Sequence, residues 1–184
     1  MGLFRKSPSP RPALHHRVPR PWDPPETEFP AIVPISTLLF GRSGQTAIAI
    51  TGMSAYSNGF EIFVTRLIRP GVLGLDEDPV PGSPGDMLTE RQSFQLRLQF
   101  SDGRMVTSGK APDAEPAGPI LRSRGGGGTS HYVLGRWWAW PLPPSGPLEF
   151  ICQLGTGEIR VGIDARLILD AAQRSIRVWP GDDS

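Results

Sequence analysis

Three tryptophans within four residues, Trp137, Trp138 and Trp140, follow His131 and Tyr132 in the stretch HYVLGRWWAW. Clustered indole rings are the groups in this chain best suited to recognition. An exposed ring face can stack on a sugar, a base or a partner's proline. Strand alternation places Tyr132, Leu134, Trp138 and Trp140 on one face and Val133, Trp137 and Ala139 on the other. One face must be core, and the other could expose Trp137. The competing expectation, which we favour, buries all three rings or lays them under the PLPP connector that follows. These five residues, His131, Tyr132, Trp137, Trp138 and Trp140, are the candidate ligand- or partner-binding set.

Other chemistries find less support. His15 and His16 lie in a Pro-rich leader, so any histidine-dependent hydrolase must run through His131. The single cysteine, Cys152, is expected among Phe150, Leu154 and Val161, where a thiol is an inert core residue. One cysteine and one histidine outside the leader cannot supply a structural zinc set. The acidic run Asp76-Glu77-Asp78 lacks the alternating ligands and closing glutamate of a calcium loop. Gly125–Gly128 lacks the Gly-Lys-Ser/Thr ending of a phosphate loop and reads as a flexible hairpin tip. Glu149 and Asp164 are expected to face each other on the last hairpin, a weak glycosidase-like carboxylate pair, since Asp164 also reads as a helix cap. No catalytic residue, metal or cofactor is expected.

The elements that position these groups follow from composition. Of 184 residues, 22 are Gly and 21 are Pro, near a quarter of the chain, which excludes a mainly helical protein. Net charge is +1, so no global field exists to hold nucleic acid. The sum hides a basic leader: Arg5, Lys6, Arg11, Arg17 and Arg20 with no acid among the first twenty residues. Residues 1–29 read as a disordered basic tail, able at most to touch nucleic acid weakly. A folded domain is expected over 30–180, with an acidic end at 181–184. The lone cysteine suits a reducing cytoplasm, and no apolar run is long enough to span a membrane.

Within 30–180 the pattern is of strands joined by Gly/Pro turns. Ala31–Phe40 reads as a first strand. Gln45–Tyr56 and Phe60–Arg69 flank Asn58-Gly59, a hairpin turn that would pair Met53 with Val64 and Ile50 with Leu67. Ser93–Phe100 alternates cleanly, and Asp102-Gly103 returns it through Arg104–Thr107. Ile120–Arg124 is a short strand. A Thr156-Gly157 turn would oppose Cys152 to Val161 and Phe150 to Ile163. Asp164–Ser175 is the one good helix, capped by Asp164. Residues 70–91 and 108–119 are long loops. The expected fold is all-β, a two-layer antiparallel β-sandwich with one short C-terminal helix.

The segments TGMSAYSNGFEIFVTRL, QFSDGR, WWAWPLPPSGPLEFIC and IDARLILDAAQRS give the chain a resemblance to a group of small β-rich proteins of high-GC actinobacteria. The resemblance spans most of residues 37–180 and implies no activity, ligand or catalytic residue. Few catalytic groups beside many loops and aromatics point to a non-catalytic cytoplasmic interaction domain with a protein partner. The alternatives are a carbohydrate-binding module using exposed tryptophans and a hydrolase using His131. Oligomeric state is left open.

Overall fold

The structure, a computed structural model, describes residues 20–70, 95–109, 114–154 and 157–179. All but the first residue of the expected loop 70–91, part of 108–119, the first nineteen residues and the acidic end lie outside them. The chain is all-β with one short helix, arranged as two antiparallel sheets packed face to face.

The larger sheet holds β2 (Ala31–Ile32), β3 (Leu38–Arg42), β4 (Thr46–Ala55), β5 (Phe60–Ile68), β8 (Ile120–Gly128) and β9 (Tyr132–Trp140). Its order is β2-β4-β5-β9-β8, with β3 also paired to β4. The smaller sheet runs β11-β10-β6-β7. Its strands are β6 (Leu96–Gln99), β7 (Met105–Thr107), β10 (Pro147–Leu154) and β11 (Gly157–Asp164). Gly109 bridges to Arg122 and its amide donates to Leu121 O, lacing the two sheets together beside β7. Alternation supplies the core. Ile50, Phe60, Ile62, Val64, Val133 and Trp137 point inward from the larger sheet, and Leu96, Leu98, Leu148, Phe150 and Cys152 from the smaller.

The helix α1 (Arg166–Ala172) is shorter than its apolar pattern suggested and sends Ile168, Ala171 and Ala172 into the same core. Asp164 sits one position ahead of the N-cap residue, Ala165, and its Oδ1 accepts from the Arg166 amide at 2.9 Å. A small ribbon pairs β1 (Glu28–Phe29) with β12 (Ile176–Arg177).

Three expectations need correction. Residues 20–29 are not tail: Trp22 is buried, and β1 belongs to the fold. Both hairpins slide by two residues at their turns, and only the last one keeps every expected face. Met53 pairs with Ile62, so the first turn centres on Ser57-Asn58, and past a bulge between Ile50 and Gly52 Ile50 pairs with Val64, which turns Leu67, its expected partner, to the outer face. Cys152 pairs with Ile159 and Phe150 with Val161, which sets Glu149 against Gly162 and removes the Glu149–Asp164 pair. Finally, Gly126–Gly128 is strand, paired to β9 beyond a bulge that starts after Ser123.

Candidate functional site

The outer face of the larger sheet divides into a covered half and an open half. In the covered half, Ser54, Glu61, Trp138 and Arg122 lie side by side across β4, β5, β9 and β8. Residues 20–29 strap over them. Trp138 Nε1 donates to Trp22 O at 2.8 Å, and Arg122 pairs with Asp23 at 2.5 Å. Asn58 Nδ2 donates to the Pro21 and Asp23 carbonyls, both at 2.9 Å, and Glu28 accepts from the Ser57 amide and hydroxyl. These bonds explain the turn position: they hold Ser57 and Asn58 outward as the two turn residues. Gly59 then presses against the next strand, where an added Cβ would lie 2.6 Å from both Ala139 O and the Trp138 ring.

Beneath the strap Glu61 is buried and holds Arg124 and Arg136, each at 3.0 Å. One carboxylate thereby neutralises part of two guanidiniums, and its burial is tolerated because both supply donors. Burial, and secondarily Glu61, raises the Tyr56 phenol above its ordinary range. Tyr56 meets Trp138 edge-on, with ring centroids 5.5 Å apart.

The predicted aromatic set is split by this arrangement. Trp137 is on the inner face at 4 % exposure, in line with the favoured burial of the rings and against the alternative that exposes it, and Trp138 is fully buried at 0 %. Trp140 is half-buried against the strap cluster. A sugar-stacking platform needs a free ring face, and neither Trp137 nor Trp138 offers one. His131 and Tyr132 are exposed, but at the far end of the sheet. The His131 ring bonds the Ser130 hydroxyl at 3.0 Å, and no carboxylate among the described residues orients it. A triad is not assembled. Among the described residues no group of three His, Cys, Asp or Glu side chains could hold a metal.

The open half carries residues that pattern reading passed over. Arg42, Ala47, Leu67 and Tyr132 form one register row across β3, β4, β5 and β9. The next row inward is Leu39, Ala49, Thr65 and Leu134. Leu39 is 54 % exposed, Leu67 51 % and Tyr132 42 %, with Leu134 half-buried beside them and Phe63 half-buried one row further along the face. Single exposed apolar residues are ordinary, whereas a contiguous band of them on one sheet face marks an interaction surface. At its edge an open groove of about 580 Å³ is lined by residues including Arg42, Arg69, His131, Gln45 and Thr46.

The outer face of the smaller sheet contrasts with this one. There Arg97 pairs with Glu158, and Arg160 with Glu158 and Glu149. Hydrogen bonds from Arg160 and then Arg97 hold the Glu158 carboxyl below its ordinary range. Stability from that contact is therefore present above the ordinary carboxylate range and fades as pH falls through the lowered value. Ile151, in register with Arg97 and Arg160, is fully buried in the middle of this face. This face satisfies its own charges.

Cys152 is fully buried, and burial pushes its thiol up to about 12. Iodoacetamide at about pH 8.5 is expected to leave it unmodified in the folded chain, with labelling appearing only as the protein unfolds. Labelling of the native protein at the rate of a free thiol would show that the strand pair around it opens locally. No helix among the described residues is long and apolar enough to cross a membrane. Comparison with protein-family models, curated proteins and solved structures finds no match to the chain.

Proposed function

We propose that this chain is a non-catalytic interaction domain, acting in the cytoplasm, that docks a protein partner on the open half of the larger sheet's outer face. The observation that carries the reading is the exposed apolar band of Leu39, Leu67 and Tyr132, continued by Phe63 and Leu134. The strap supports it by difference. Where the same face is covered, Trp138 and Glu61 are buried beneath the strap, whereas the other half leaves Leu39, Leu67 and Tyr132 exposed, as a surface awaiting a partner would. The buried thiol of Cys152 is compatible with a reducing compartment.

The test compares the partner captured from the native host by three forms of the full chain. Leu67→Asp with Tyr132→Asp is expected to lose the partner that the unaltered chain retains. Met105→Asp, exposed on the smaller sheet, is expected to keep it. All three positions are exposed, so stability should change by within about 0.5 kcal/mol per site. Retention by the double variant, or recovery only of further copies of this chain, overturns the proposal.

A further inference from the structure

We infer that the partner presents an acidic peptide segment, whose carboxylates enter the groove of Arg42, Arg69 and His131 while its apolar side chains lie on Leu67 and Tyr132. The inference rests on the docking reading above and names the chemistry of what docks.

Charge balance is the first argument. The groove's described lining contains Arg42, Arg69 and His131 and no carboxylate. The Arg42 side chain is exposed and meets no carboxylate among the described residues, and the Arg69 guanidinium donates to the Gly44 carbonyl at 3.3 Å. Elsewhere on the two outer faces these described arginines find carboxylates: Arg122 with Asp23, Arg124 and Arg136 with Glu61, Arg97 and Arg160 with Glu158.

Shape and neighbours select the class of anion. Arg42 to Tyr132 spans four adjacent strands, roughly 14 Å at the usual strand spacing, the length of a short peptide. Half of the row is apolar, through Ala47 and Leu67. A peptide carrying both carboxylates and aliphatic side chains matches it, whereas a nucleic-acid backbone would leave the apolar half uncovered.

The test follows amide shifts of the full-length chain by NMR with three probes. These are acetyl-Glu-Leu-Glu-Glu-Leu-Glu-amide, its counterpart with Gln at every Glu, and a single-stranded oligothymidylate. The acidic peptide is expected to move the amides of Arg42, Gln45, Thr46, Arg69 and His131. Arg42→Glu with Arg69→Glu should weaken it by about tenfold, and added salt should weaken it further. If both peptides move the Leu39, Leu67 and Leu134 amides equally and leave the groove still, the docking face stands and the acidic partner falls. Shifts in neither region overturn both readings. Tighter binding of the oligonucleotide than of the acidic peptide overturns the peptide assignment.

Discussion

Replacing Trp138 with alanine is expected to remove about 3–5 kcal/mol of stability, the range for truncating a large buried aromatic. Trp138 is fully buried in the cluster it forms with Trp22, Tyr56 and Ile120, packed against Trp140. The truncation does more than leave a cavity. It also removes the 2.8 Å bond to the Trp22 carbonyl, which fixes the strap to the sheet. Trp138→Phe keeps most of the apolar contact and loses that bond, at a cost of about 1–3 kcal/mol for the acceptor left unsatisfied. Denaturant titration of the two variants checks the order. A loss near zero for Trp138→Ala would mean that the strap does not depend on this residue.

The glycine run offers the second large effect, and a sharper pattern. A Cβ at Gly126 would lie 2.0 Å from Leu134 O, and one at Gly128 2.0 Å from Tyr132 O. Both clashes are with backbone, so β8 must move away from β9 to admit any side chain. At Gly127 nothing lies within 4 Å. Gly126→Ala and Gly128→Ala are each expected to cost about 1–3 kcal/mol. Gly127→Ala, between them, should change stability by within about 0.5 kcal/mol. Thermal unfolding of the three variants reads the alternation directly. Equal effects at all three positions would show that the run behaves as a loose tip.

That contrast explains what the sequence could and could not show. Four consecutive glycines look flexible because no side chain marks a face, yet close strand approach demands glycine at alternate positions. Hydrophobic alternation recovered the two-layer architecture and the faces of the last hairpin, because parity is what it measures, but it missed the bulge between Ile50 and Gly52, which breaks parity within β4. It could not distinguish registers two residues apart, since such a slide preserves every face. The Ser57-Asn58 turn is chosen by Glu28, Pro21 and Asp23, residues far away in sequence. The boundary at residue 29 failed for a related reason. Pro and Arg density describes residues 1–29 as one piece, while a single side chain, Trp22, anchors the last third of it to Trp138.

The site was legible only in part. His131 and Tyr132 do lie on the open face, but the tryptophans that drew attention to the segment are structural. Leu39, Arg42, Leu67 and Arg69 carried no local signal. They are ordinary strand and turn residues, two of them among seventeen arginines. Their significance arises when β3, β4, β5 and β9 bring them into rows.

The central claim is that the open half of the larger sheet's outer face is where a partner docks. Site-specific photo-crosslinking in the native host tests it most directly, with the reactive side chain placed at position 67, at position 134, or at position 160 on the opposite sheet. Adducts with one partner protein from 67 and 134, and none from 160, are expected. Equal yields from 67 and 160, or no adduct from 67 in a chain that is expressed and folded, would contradict it.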